Sequence, residues 1–144
     1  LPICDARAHL RAVVDEFVGE VVAKSSLYAT APWGKTDQPD FLNQSLIVEV
    51  DQTPRELLAR CQRLEEEADR VRVERWGPRT LDVDIVFIDG YTSDDPELTV
   101  PHPRAHLRRF VLEPWLEMDP GAELRGASIR NLLADLDGQG VRKL

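Results

Sequence analysis

The chain has 144 residues, 42% hydrophobic and 31% charged, which is one domain's worth of ordinary globular sequence with enough apolar mass for a core of its own. Eighteen Lys and Arg against 26 Asp and Glu leave a net charge of −8, which opposes general attraction to nucleic-acid backbones or anionic membranes. No apolar run reaches the ~20 residues of a membrane helix, the start lacks the order of a secretory signal, and Cys4 and Cys61 fit neither a disulfide framework nor a zinc spacing, so the composition predicts a cytoplasmic protein with Cys61 packed in a helix face.

Asp5 is placed to cap a helix over 6–18, with Leu10, Val13, Val14, Phe17 and Val18 at helical spacing and Gly19 as its end. Val21–Tyr28 reads as a strand, and 29–40 as a polar, turn-rich loop containing Trp33. Phe41–Val50 resumes β character, with Leu42, Leu46, Val48 and Val50 on one face and Phe41, Asn43 and Ser45 on the other. Thr53-Pro54-Arg55-Glu56 is a capping box with proline at the first helical position, opening a helix from 54 to about 69 along the stripe Leu57, Leu58, Cys61, Leu64 and Ala68.

The segment Arg70–Thr80 holds four arginines and Gly77-Pro78, and reads as a basic loop feeding a strand over Leu81–Ile88, apolar on both faces except at Asp82 and Asp84. Asp89-Gly90 signals a hairpin turn, Pro101 and Pro103 punctuate the next stretch, and 104–112 suits a short helix carrying Leu107, Phe110 and Val111. Ser128 caps a last helix over 129–136. Strands interleaved with helices and a hairpin predict an α+β fold, a sheet covered by helices, in place of a helical bundle.

Chemistry concentrates in Asp82-Val83-Asp84, since strand alternation sends both carboxylates to one face, where two like charges call for a cation. Hard oxygen donors of this kind suit Mg²⁺, particularly with phosphates completing the shell. Seven of the fifteen arginines cluster at Arg70, Arg72, Arg75 and Arg79 and at Arg104, Arg108 and Arg109, which supplies countercharge for a small polyanion. The same pair can equally be read as salt-bridged to those arginines with no metal. Neither a Gly-x-x-x-x-Gly-Lys loop nor a Gly-x-Gly-x-x-Gly loop is present, and His9, His102 and His106 make no zinc spacing.

Arg75-Trp76-Gly77-Pro78-Arg79-Thr80-Leu81-Asp82-Val83-Asp84-Ile85 resembles the signature of the 6-hydroxymethyl-7,8-dihydropterin pyrophosphokinases of the folate pathway. The resemblance extends to Ser25-Ser26-Leu27-Tyr28, to Asp37-Gln38-Pro39-Asp40-Phe41-Leu42-Asn43 and to Leu98-Thr99-Val100-Pro101-His102-Pro103. It implies a ferredoxin-like α/β/α sandwich and transfer of the β,γ-diphosphoryl group of ATP to the pterin hydroxymethyl oxygen, leaving AMP. It assigns two Mg²⁺ ions to Asp82 and Asp84, and adds Arg70 and Arg79 to the catalytic set, closing over the phosphates with the basic loop. Around ATP it gathers Gln62, Glu65, Arg72, Trp76, Ile85, Thr99, His102 and Arg108. Around the pterin it gathers Phe41 and Phe110 as stacking rings, Asn43 on the amide-like edge, and backbone groups of Thr30, Ala31 and Trp33.

The resemblance departs from the family at three places. Phe41 stands where many members carry tyrosine, and Glu97 where some carry an arginine against the nucleotide. The chain opens Leu1-Pro2-Ile3-Cys4-Asp5 in place of an apolar strand and Gly-Ser-Asn-Leu-Gly-Asp, so a single pyrophosphokinase domain without the usual first strand and glycine-rich turn is expected. The partners expected are ATP and the pterin, with the chain a monomer. An RNA-binding module is the reading from another class, and the net charge together with the lack of a Lys/Arg-Gly-aromatic motif counts against it. An inactive relative with a structural role is the third.

Overall fold

A computed structural model describes residues 3–30, 41–70, 81–136 and 140–144. The elements in chain order are α1 (Ile3–Glu16), β1 (Val21–Lys24), β2 (Tyr28–Thr30), β3 (Phe41–Asn43), β4 (Leu46–Val48), α2 (Pro54–Arg70), β5 (Ser93–Asp95), β6 (Leu98–Val100), a 3-10 turn (Ala105–Leu107), α3 (Arg109–Met118), β7 (Glu123–Leu124), β8 (Ala127–Ser128), α4 (Ile129–Ala134) and β9 (Val141–Lys143). The fold is mixed α+β. Among the described residues its strand pairs are all antiparallel, in sheets ordered β1-β4, β3-β2-β9, β5-β6 and β7-β8.

Local signals produce the helices. Thr53 and Glu56 close the capping box reciprocally, the Glu56 N–H donating to Thr53 Oγ1 at 3.2 Å and the Thr53 N–H to Glu56 Oε1 at 2.9 Å, which satisfies two orphan donors at the start of α2. Ser128 Oγ accepts the Asn131 N–H at 3.1 Å and caps α4. α1 stops at Glu16, and the chain turns through Gly19 at φ 85°, so Val18 leaves the expected stripe and lies 73% exposed. Arg60 of α2 seals that corner. Its guanidinium donates to the Glu16 carbonyl at 2.7 Å and to the Glu20 carboxylate at 2.8 Å while lying 4.2 Å over the Phe17 ring, which caps a helix C-terminus and adds a cation–π contact.

Four further expected elements are corrected. The strands expected over 21–28 and 41–50 are each split at the same level. Ser25, only 2% exposed, accepts the Ser45 N–H on its Oγ at 2.9 Å, and Gln44 Nε2 donates to the Ser25 carbonyl at 2.9 Å. A side chain thus takes the place of a ladder bond, and between Lys24↔Leu46 and Tyr28↔Asn43 one strand advances four residues against three, an irregularity of the bulge type. The helix expected over 104–112 is a 3-10 turn, a break at extended Arg108, and a longer α3. The expected strand over 81–88 is regular nowhere before the Ile88↔Tyr91 bridge, where Asp89-Gly90 turns the chain as anticipated.

One core cluster joins Ala105, Leu112, Ala122, Leu124, Ile129 and Leu133, with Val86 and Trp115 packed against it. The sheet β3-β2-β9 is held to α3 by Glu117. Its carboxylate accepts from the Ser26 N–H at 2.9 Å, Ser26 Oγ at 2.6 Å and Tyr28 Oη at 2.9 Å, and pairs with Lys143 Nζ at 3.3 Å. Partial burial opposes its ionisation, but the bonds from Ser26, Tyr28 and Lys143 outweigh that and hold its pKa at about 2 against an ordinary 4.5. Tyr28 moves the other way, to about 12, through burial first and then its bond to Glu117 and the charges of Glu117 and Glu113.

Because the folded pKa of Glu117 is depressed, its contribution to stability is complete above the ordinary value and is lost as pH falls through about 2. Urea midpoints of the wild type and Glu117→Gln, compared from neutral pH downward, should differ most at neutral pH and converge as the pH approaches 2. A constant gap would show that the carboxylate's charge is not what holds the sheet to α3.

Candidate active site

The acidic pair sits on a stretch with no regular secondary structure. Leu81 is buried, while Asp82, Asp84 and Phe87 are exposed, Phe87 to 45%. The alternation expected of Asp82 and Asp84 is therefore kept, but the burial of both faces is not. The physical reason is that side chains and a loop hold this backbone where a strand ladder was expected. The Val83 N–H donates to Glu65 Oε2 of α2 at 2.8 Å, and the Val86 carbonyl accepts the His102 N–H at 2.8 Å. Exposure also lowers the desolvation cost of two adjacent carboxylates.

Two of those contacts bring expected nucleotide residues to the pair. Glu65 grips the peptide between Asp82 and Asp84, and Ile85 adjoins the carbonyl that holds His102. His102 is lowered from its ordinary 6.5 by burial first, with the nearby charges of Arg108 and Arg104 adding and the charge of Asp84 opposing, so it is neutral at pH 7. Its Nδ1 accepts the Arg104 N–H at 3.2 Å, which leaves the proton on Nε2. Cys61 lies within reach of the same field. Burial foremost, then the charges of Glu65 and Asp84, push its thiol up to about 11 despite Arg60, so it is an inert core thiol, 4% exposed, as anticipated.

The remaining expected nucleotide residues that are described lie on α2, on β6 and at the start of α3. Gln62 is exposed on α2 one turn before Glu65. Thr99 of β6 donates its hydroxyl to the Asp95 carbonyl at 2.9 Å, and the neighbouring Asp95 and Glu97 both pair with Arg55 of α2. The guanidinium of Arg108 lies 5.5 Å from the Phe110 ring centre, joining a phosphate-type cation to an aromatic at the start of α3.

Three of the residues expected around an aromatic ligand, Thr30, Phe41 and Asn43, share one sheet face. Tyr28 pairs with Asn43 and Thr30 with Phe41, and directly opposed residues of antiparallel strands project to the same side. Asn43 Nδ2 donates to Thr30 Oγ1 at 3.2 Å, Phe41 is 51% exposed, and Thr30 lies between Phe41 and Val141 in the ladder. The result is an exposed ring beside an oriented amide, a pairing that can stack a flat heterocycle and read its polar edge. Ala31, Trp33, Arg72, Trp76, Arg79 and the side chain of Arg70 lie outside the described residues.

Sequence reasoning missed Glu117 and Ser25 as organising groups. The signal for Glu117 was its spacing of seven from Phe110, which places both on one face of α3. Among the described residues no group of three or more His, Cys, Asp and Glu converges as a metal cage. Asp82 and Asp84 therefore offer two carboxylates and leave other positions of a hard cation's shell to a phosphate ligand or water.

If Asp84 acts on His102 as described, Asp84→Asn should lower the His102 pKa further in chelator-treated protein, because it removes the one charge that raises it. Proton NMR titration of the imidazole reads this directly. An unchanged or higher value would separate the two groups.

Residues 3–120 match the family model described as 7,8-dihydro-6-hydroxymethylpterin-pyrophosphokinase. A Mycobacterium tuberculosis protein named 2-amino-4-hydroxy-6-hydroxymethyldihydropteridine pyrophosphokinase is 43% identical over 92% of this chain and 78% of its own length. Proteins of the same name from Mycobacterium leprae and Methylorubrum extorquens are 43% identical over 96% of this chain and 82% of their own, and 40% identical over 86% and 78%.

Proposed function

The chain belongs to the 7,8-dihydro-6-hydroxymethylpterin-pyrophosphokinase family and is an ATP-using pyrophosphokinase of folate biosynthesis, and from that premise we propose how its residues divide the work. The β,γ-diphosphoryl group of ATP passes to the hydroxymethyl oxygen of the pterin, and AMP departs. The observation that carries the assignment is the joint exposure of Asp82 and Asp84 beside a His102 that feels both Asp84 and Arg108.

Asp82 and Asp84 hold two Mg²⁺ ions, a role their hard, exposed oxygen donors fit. When bound, those ions neutralise phosphate charge and lower the cost of ionising the pterin hydroxyl. Glu65 keeps the peptide between the aspartates in place through the Val83 N–H. Neutral His102 offers an uncharged Nε2–H donor, and Arg108 adds a fixed cation. Gln62, Arg72, Trp76, Ile85 and Thr99 complete the nucleotide contacts, and Arg70 and Arg79 supply countercharge as the phosphates reorganise. Phe41 and Phe110 stack on the pterin, Asn43 bonds its amide-like edge, and backbone groups of Thr30, Ala31 and Trp33 border it. We infer a ferredoxin-like α/β/α layering, with the chain acting as a cytoplasmic monomer on small molecules and with no nucleic-acid or membrane partner.

Incubation with Mg²⁺, ATP and hydroxymethyldihydropterin should release AMP and no ADP. Asp82→Asn and Asp84→Asn should each depress that release by roughly a hundredfold or more while leaving the fold intact, because each removes an anionic oxygen donor that would hold Mg²⁺. Variants that stay active but melt earlier would make the pair a structural ion-pair site.

Asn43→Ala should weaken pterin binding by on the order of 1–3 kcal/mol through unpaired polar groups, with ATP affinity unchanged. Calorimetric titration of each ligand separates a lost contact from a general folding defect, which would weaken both.

A further inference from the structure

Glu117 gathers four donors from three stretches of chain: the Ser26 N–H and Oγ just before β2, Tyr28 Oη within β2, and Lys143 Nζ in β9. Seven residues are close to two helical turns, so Glu117 and Phe110 share one face of α3, about 10 Å apart along its axis. Glu113, between them, acts electrostatically on Tyr28. That face of α3 therefore lies along β2. Tyr28 and Thr30 project from β2 to the same side, and Asn43 and Phe41 oppose them there.

We propose that Glu117 is a positioning residue of the pterin pocket, clamping α3 to β2 so that Phe110 stands over the face carrying Thr30, Phe41 and Asn43. The proposal rests on the pterin-binding roles inferred above. A ring stacked between two others leaves little tolerance, since a gap of about 0.5–1 Å forfeits a quarter to a half of the attraction between facing atoms. A helix fixed by apolar packing alone can slide or rotate by that much. A carboxylate engaged by four directional donors sets both its height and its rotation, and the low pKa of Glu117 keeps the anion in place throughout the neutral range.

A double-mutant cycle read by calorimetry tests this, using the intact chain. Glu117→Gln preserves shape but removes the charge, and should weaken hydroxymethyldihydropterin binding about tenfold while ATP affinity stays within about twofold. In a Phe110→Ala background the same substitution should cost less than about twofold, because the ring it positions is gone. Equal loss in both backgrounds, or joint loss of pterin and ATP affinity, would overturn the positioning role and leave Glu117 as a purely structural group. Unchanged pterin affinity in Phe110→Ala alone would remove Phe110 from the pocket, overturning the site reading and the clamp together. Unchanged affinity in Glu117→Gln with a loss in Phe110→Ala would overturn the clamp and spare the site.

Discussion

The carboxylate of Glu117 is the point at which a helix of the C-terminal half meets the sheet of the N-terminal half. A hydrophobic contact would hold α3 near β2 without choosing a register, because burial is proportional to area and has no direction. Four hydrogen-bond donors on one anion do choose, and charge assistance makes such bonds stronger than neutral ones. The donors also join β9 to the arrangement, since Lys143 stands opposite Tyr28 in the ladder. Three segments far apart in sequence are thereby referred to one pair of oxygen atoms.

The acidic segment depends on a different kind of support. Asp82 and Asp84 face solvent, where hydration offsets their repulsion, and the chain between and after them is held from behind. Glu65 takes the Val83 amide, His102 donates to the Val86 carbonyl, and the Val86 side chain packs on the core cluster around Leu112 and Ile129. The division leaves the charged groups accessible while their backbone is tied to the core cluster.

Much of this was legible in residues whose signal is local. Thr53-Pro54-Arg55-Glu56 specified the start of α2, Asp89-Gly90 its turn, and Ser128 the cap of α4, since each motif completes its own bonds within three or four residues. The strands were legible as β character and not as lengths. Ser25 and Ser45 look alike whether they continue a ladder or break it, and only their meeting across the sheet decides.

The amino-acid sequence by itself determined the family signature and the alternation that sets Asp82 and Asp84 on one side. Those features follow from backbone periodicity, which operates within a single element. The tertiary structure alone decided that the acidic segment is exposed and unladdered, that two expected strands break at Ser25 and Ser45, and that α3 runs on to Met118 and meets Ser26 through Glu117. Each of those outcomes rests on a hydrogen bond between residues 18, 20 or 91 positions apart, and whether such groups meet depends on how the whole chain has packed.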